Sequence, residues 1–300
     1  MFESLYRHDG WGVGLMRGGA NALLGATPSV EWLRIDGRHA FAADPFLIED
    51  AGRLYCFFES LPYATDRGKI CFVEIGEAHA GSLTVHDAIV EPYHLSYPYL
   101  LRHEGEVLCI PEAGASGRIS AYAARAFPHD WYEKRTLIGN FAGVDSSVFE
   151  HAGRWWMLTT DGRSGWNDAL HLFYADALFG EWMPHPQNPV VRGLAGTRPG
   201  GRPFVAGGRL YRPAQDCSAR YGGRLIVNEI VELTTDRFAE RAVNVLEPVA
   251  NGPFPDGLHT ANVCGEVIAV DGNRLHFEWR QAARAVTRRA RKIIGGGAPA

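Results

Sequence analysis

Long apolar runs are missing from this 300-residue chain. None approaches the roughly 18 residues that a membrane span needs, which argues against a helical membrane protein. The opening residues, MFESLYRHDGWGVGLMRGG, carry no continuous apolar stretch behind a basic one, so no secretory signal is expected. Cysteine is scarce: there are five, an odd number with no C-x-x-C pair. Neither a disulfide framework nor a zinc site is indicated, and a reducing, cytoplasmic setting fits. Charge of one sign is not in excess either. A net charge of −4 argues against nucleic-acid binding by bulk charge. No GxxxxGK[ST], HExxH or GxSxG occurs, and GVGLMRGG lacks the spacing of a dinucleotide fingerprint. The twelve histidines show no ligand spacing, so no metal and no cofactor is expected.

Glycine and aromatic residues are plentiful: 35 glycines, with 15 Phe, 11 Tyr and 8 Trp. With 46% hydrophobic and 21% charged residues the chain is a folded one, and this combination suits short strands joined by tight turns. One hairpin-like pattern returns five times, at 43–60, 97–113, 145–161, 200–216 and 264–279. Each copy is a strand-like run, a turn with glycine, and a second run. The turn glycines read as Gly52, Gly105, Gly153, Gly208 and Gly272, at intervals of 53, 48, 55 and 64 residues. That is the period of a four-stranded propeller blade. Period-2 segments such as KICFVEI, ALHLFYAD and RLIVNEIVEL supply the outer strands. A β-sandwich with coincidental hairpins is the competing fold, but five hairpins sharing one turn favour an all-β, five-bladed β-propeller.

Three segments follow. Residues 1–37 read as a closing strand or a flap, 38–274 as the propeller, and 275–300 as a basic amphipathic helix with a flexible tail. In the helix Leu275, Trp279, Ala283, Val286, Ala290 and Ile293 share a stripe, and arginines lie elsewhere. It packs on the propeller or makes a peripheral contact with an anionic membrane.

Propeller geometry gathers strand-one starts and strand-two ends on one rim. The starts are Asp44, Ser96-Tyr97, Asp145, the Arg198–Gly201 loop and the His259–Asn262 segment. The ends, seven residues past each turn glycine, are Glu59, Glu112, Thr160, Gln215 and Trp279, with Asp216 next to Gln215. Several carboxylates thus converge on one axis, where burial and repulsion split their pKa values into an acid and a base. Glycoside hydrolysis uses such a pair. Tyr97, Trp155, Trp156, Trp166 and Tyr211 offer flat faces for sugar rings. Arg198, Arg202 and Arg212 either fork onto a ligand or bridge neighbouring carboxylates.

The motifs Ala43-Asp44-Pro45 and Val144-Asp145-Ser146-Ser147, with His259 and GEWMPHPQNPV, resemble the five-bladed glycosidase superfamily typified by glycoside hydrolase family 43. The resemblance implies Asp44 as the general base of an inverting reaction and Asp145 as the residue that tunes the acid. The superfamily's acid is a glutamate opening the fourth blade. Here that place reads Thr197-Arg198-Pro199-Gly200-Gly201. Glu112 is the best substitute and Asp216 another; without either, the domain binds glycans and does not cleave them. Glu59, His94, Tyr97, Arg198, Arg212, Gln215, Asp216 and His259 are the candidate substrate contacts. The strings ADPFLI, FFE, HLSYPY, IPEA, DSS, HPQNPV, RPGG and RPAQDCSARYG further resemble the N-terminal propeller of the plant glucosamine inositolphosphorylceramide transferase family and its bacterial relatives. In the plant proteins a glycosyltransferase domain follows; none is expected here, so transferase activity is not carried over. The expected partner is a glycan or glycoconjugate, recognised either by a glycosidase-like enzyme or by a non-catalytic module serving polysaccharide or glycolipid synthesis. A third reading is a scaffold for protein contacts.

Overall fold

A computed structural model describes residues 7–26, 28–35, 40–76 and 82–277. The chain begins with β1 (Arg7–Arg17), a short helix α1 (Gly19–Ala22) and β2 (Glu31–Trp32). Blade one then holds β3 (Ala40–Asp50), β4 (Arg53–Pro62), β5 (Lys69–Ile75) and β6 (His86–Ile89). Blade two holds β7 (Ser96–His103), β8 (Glu106–Glu112), β9 (Ile119–Ala126) and β10 (His129–Ile138). In blade three β11 (Gly143–His151), β12 (Arg154–Asp161), β13 (Ala169–Ala175) and β14 (Met183–Pro184) are joined by β15 (Val191–Arg192). Blade four holds β16 (Ala195–Pro199), β17 (Phe204–Ala206), β18 (Arg209–Asp216), β19 (Arg224–Leu233) and β20 (Phe238–Leu246). Blade five combines β21 (Ala261–Cys264) and β22 (Val267–Phe277) with β1 and β2, in the order β2-β1-β22-β21. The fold is a five-bladed β-propeller whose last blade is completed from the N-terminus.

Hydrogen bonds between innermost segments run round the whole ring. The Tyr97 N–H donates to Asp44 Oδ2 (3.3 Å), linking blades one and two. Tyr97 Oη and Ser147 Oγ are 2.8 Å apart, and Ser147 Oγ donates to the Gly201 carbonyl at 3.1 Å. The Ala261 N–H reaches the Gly200 carbonyl (2.8 Å), and Asn262 Nδ2 returns to the Pro45 carbonyl of blade one (2.7 Å). Between blades one to three the core is aromatic, with Phe46, Phe57, Phe72, Tyr99 and Tyr122 buried.

The inner hairpins turn on two-residue loops. Four of them, Ala51-Gly52, Glu104-Gly105, Ala152-Gly153 and Gly207-Gly208, have positive φ at both residues, the type I′ geometry that matches strand twist. The fifth loop is Gly265-Glu266, with glycine first at φ 57°, and not the expected turn at Gly272. Gly272 lies inside β22, opposite Gly12 of β1. There the two missing side chains make room for Trp32 and Phe254, which pack at 4.6 Å. Counted from the second loop residue, the seventh position is Glu59, Glu112, Thr160, Gln215 and, in blade five, Asn273. Trp279 therefore leaves the rim set, and it lies outside the described residues.

The expected helix from 275 also changes. Residues 275–277 continue β22, because pairing with β1 extends to Phe277↔Arg7. The rest of that segment, on which the expected membrane contact falls, lies outside the described residues. Among those described, no helix is long and apolar enough to cross a membrane. The five cysteines are unbonded and four are buried.

Candidate functional site

The inner strands of blades one to four share one irregularity. Register shifts fall between Ala43 and Phe46, Ser96 and Tyr99, Val144 and Ser147, and Ala195 and Pro199. Such bulges re-aim side chains. In the first three blades the bulge carries a residue in the left-handed region: Asp44 (φ 53°), Tyr97 (φ 43°) and Asp145 (φ 50°). Each costs about 1–3 kcal/mol, strain that concentrates where a side chain must point a particular way.

Asp44 and Asp145 anchor two buried clusters. Asp44, 4% exposed, accepts from Thr260 Oγ1 (2.9 Å), and its Oδ1 lies 3.6 Å from His259 Nε2. His259 Nδ1 is held at 2.6 Å by Asp271 Oδ2. Asp271 also accepts from the backbone N–H groups of Asp44, His259 and Thr260, each at 3.0 Å. Burial pushes the Asp44 carboxyl up to about 7; Asp145, Glu59 and Asp271 add to the rise while His259 opposes it. Burial works against a charge on His259, but Asp271 and then Asp44 outweigh it and lift the ring to about 9. Trp11 stacks on this imidazole at 3.9 Å, almost parallel.

The second cluster joins blades two, three and four. Arg198 Nε donates to Asp145 Oδ2 at 2.5 Å, and Gln215 Nε2 donates to the same oxygen at 2.8 Å. Arg198 also reaches Glu112 Oε2 (3.6 Å) and Asn167 Oδ1 (3.2 Å), with the Tyr221 ring 5.0 Å from its Cζ. Glu112 and Asp145 are 5% and 1% exposed. Glu112 Oε2 and Asp145 Oδ1 are both buried without a donor. A side-chain hydrogen bond links Glu112 to Asp145, which requires a proton on one of the two carboxyls. Burial first, and then the Asp145 carboxylate, push Glu112 well above the ordinary carboxylate range, against the pull of Arg198.

Glu59 and His94 form a third pair, with Oε1 to Nε2 at 3.2 Å. The Gly68 N–H donates to His94 Nδ1 (3.0 Å), which selects the neutral Nε2–H tautomer. Burial lowers the His94 pKa, yet Glu59 turns the net shift upward. A proton on Nδ1 would displace the Gly68 contact, so the geometry favours the neutral ring.

Three expected contacts stand elsewhere. Arg212 is 1% exposed, and its donors go to Glu240 (2.5 and 2.6 Å) and the Gly196 carbonyl (2.6 Å). Asp216 is taken by Ser218 and Arg224, which outweigh burial and hold its pKa low. Both sit at odd separation from Gln215 on β18, hence on the opposite face from Asp145. The Tyr97 hydroxyl is sealed between Ser147 and the Gly201 N–H (2.8 Å each) with no exposure left for a ligand. Of the expected flat faces, Trp156 and Tyr211 are buried, Trp155 packs on His103, and only Trp166 is exposed.

Thr260 lies in the expected His259–Asn262 segment, whereas Asp271, Asn167, Trp11 and Tyr221 were not expected from the sequence. The displaced fifth turn hid Asp271, and the others depend on long-range packing. Asp44, His259 and Asp271 stand close enough to share a cation. Yet both Asp271 oxygens are already filled by four N–H donors, so this set does not suit a metal.

A family profile described as "Glucosamine inositolphosphorylceramide transferase 1, N-terminal" matches residues 30–251. The Oryza sativa subsp. japonica protein named glucosamine inositolphosphorylceramide transferase 1 is 35% identical over 210 residues, covering 68% of this chain and 28% of its own length. Its Arabidopsis thaliana namesake is 34% identical over 206 residues, 67% of this chain and 27% of its own. The chain therefore matches little more than a quarter of the length of these relatives. Among solved structures, a family 117 glycoside hydrolase of Zobellia galactanivorans superposes with a TM-score of 0.54 at 15% identity, covering 90% of each chain. An α-L-arabinofuranosidase of Podospora anserina gives 0.54 at 12% identity, over 75% of this chain and 78% of its own. At such identities the likeness is one of fold.

Proposed function

Since the chain belongs to the family of the N-terminal region of glucosamine inositolphosphorylceramide transferase 1, we propose that it is a carbohydrate-active propeller, glycoside-hydrolase-like, acting on a glycan or glycoconjugate at its channel carboxylates. The observation that carries this reading is the pair of donorless oxygens on Glu112 and Asp145. They support a carboxylic acid kept protonated at neutral pH beside a carboxylate pinned by Arg198 and Gln215. Asp44, on the neighbouring blade with a pKa near 7, is the matching base. In the reaction the glycosidic C–O bond breaks and its oxygen takes the Glu112 proton. A water oxygen bonds to the anomeric carbon while a water proton passes to Asp44. Asp145 tunes the acid, and Glu59, His94 and His259 orient the sugar and the base. The transferase activity in the relatives' name belongs to proteins of which this chain matches little more than a quarter, and it is not carried over.

A second reading has its own support. Arg198 stands where the superfamily places its acid, and Asp44 and Glu112 are 4% and 5% exposed. This favours a glycan-binding module associated with polysaccharide or glycolipid synthesis. The two readings separate when wild type, Asp44→Asn and Glu112→Gln are incubated with a glycan panel, reading released reducing ends and, by calorimetry, binding. Turnover lost in both variants supports hydrolysis. Binding without turnover supports the module, and neither binding nor turnover overturns both.

A further inference from the structure

Trp166 and Tyr221 are the two exposed aromatic side chains among the described residues, at 54% and 39%. All the other described aromatic side chains are buried or half-buried. The two lie on separate loops, after β12 and after β18, and both loops meet at Arg198. Asn167, next to Trp166, accepts from Arg198 Nη1 at 3.2 Å, and the Tyr221 ring lies 5.0 Å from the guanidinium carbon. Both loops are tied down. The Trp166 carbonyl accepts from Thr160 Oγ1 (3.0 Å), and Asp161 receives the N–H groups of Arg163, Ser164 and Gly165. Tyr221 packs edge-on against Trp11 and His259, and the Gly222 carbonyl accepts from the Leu258 N–H at 3.0 Å. Both aromatics thus stand on loops whose backbones are already fixed, which avoids the ordering cost that a flexible loop would incur on binding.

We propose that Trp166 and Tyr221 form the contact platform for a pyranose ring, whose apolar C–H face lies on the indole while a hydroxyl reaches Arg198. An exposed aromatic pair beside a guanidinium suits an amphipathic ring better than a fully polar or fully apolar ligand. Asp145 and Asn167 take two of the five N–H groups of Arg198 and Glu112 faces a third position at 3.6 Å, leaving donors for that hydroxyl. The platform gives the buried carboxylates a mouth at which the sugar is sorted before it meets them, and in this it rests on the carbohydrate reading above.

The test uses methyl pyranosides of glucose, galactose, mannose, xylose and N-acetylglucosamine. Saturation-transfer NMR detects binding and tryptophan fluorescence titration gives Kd. Wild type is expected to bind at least one of them with quenched indole emission. Trp166→Ala raises its Kd about tenfold, Trp166→Phe restores it to within about threefold, and Tyr221→Leu weakens it about fivefold. Trp166 is on the surface, so its loss leaves the fold intact, checked by an unchanged urea midpoint. Wild-type affinity in both Trp166→Ala and Tyr221→Leu, with binding lost in Asp44→Asn, overturns the platform and leaves the carbohydrate reading standing. Loss in Trp166→Ala with no effect of Asp44→Asn or Glu112→Gln keeps the platform and overturns the role of the carboxylates. No pyranoside bound by wild type overturns the platform together with the reading it rests on.

Discussion

His259 ties the stability of the ring to pH. Its imidazole is 2% exposed, clamped by Asp271 at 2.6 Å and facing Asp44 at 3.6 Å. Folding lifts its pKa from the ordinary 6.5 to about 9. A raised pKa means that the folded state holds a proton which the unfolded chain has released. The stabilisation is therefore complete below pH 6.5 and is lost as pH rises through 9. The slope is about 1.4 kcal/mol per pH unit in that window, for a total of about 3 kcal/mol. At roughly 2 °C per kcal/mol for a domain of this size, the melting temperature falls by roughly 6 °C. Asp44 shifts in the same direction, but its window runs from 3.8 to about 7, so the change above pH 7 belongs to His259. Urea unfolding of wild type and His259→Gln at half-unit steps from pH 6.5 to 9.5 reads this out. The stability gap between them is widest near pH 6.5 and closes by about 3 kcal/mol toward pH 9.5. Parallel loss of stability in the two proteins above pH 7, or a His259 ring that titrates below 7 by NMR, refutes the ion-pair argument.

Glu112→Gln keeps shape and the hydrogen bond to Asp145 while removing a proton donor. Its urea midpoint should stay within about 1 kcal/mol of wild type, while any hydrolysis of a glycan substrate falls by about 10²–10⁴. Arg198→Leu leaves Asp145 buried without its cation, which costs about 3–5 kcal/mol by denaturant titration and abolishes glycan binding. Arg212→Leu breaks the Glu240 pair at a similar cost to stability, yet glycan affinity measured at low temperature is unchanged, because that pair lies on the far face of β18. Gly201→Ala places a Cβ against the Ala261 carbonyl oxygen at φ 145°, and the junction of blades four and five must open. A loss of about 2 kcal/mol or more by urea titration is expected.

Much of the ring was legible because one hairpin recurs with one turn chemistry. Four copies use an X-Gly loop, and the glycine marks the second loop residue. The fifth copy places its glycine first, in Gly265-Glu266, and the decoy at Gly272 lies in a strand for a packing reason, contact with Trp32 and Phe254. That slip moved the fifth rim position and concealed Asp271. Asp44, Asp145 and Glu112 were readable because strand starts and ends share a rim in any propeller. Their pairing was not, since it depends on bulges that re-aim Asp44 and Asp145. Arg212 and Asp216 were misplaced by strand parity: one step along β18 exchanges the channel for the opposite face. Tyr221 and Trp11 meet His259 across long stretches of chain, and no local pattern announces such contacts. The apolar stripe starting at Leu275 looked helical, but a strand paired with β1 uses its first residues equally well.

The central claim is that carboxyl groups in the channel, with Glu112 protonated beside Asp145, engage a sugar. Carbonyl ¹³C NMR of Glu112 in selectively labelled protein, recorded from pH 4 to 9 with and without a pyranoside that binds, tests it most directly. The account predicts a carboxylic-acid shift for Glu112 persisting through pH 7 and a displaced resonance when the sugar is present. A Glu112 carboxyl that ionises in the ordinary range and ignores the sugar would contradict it.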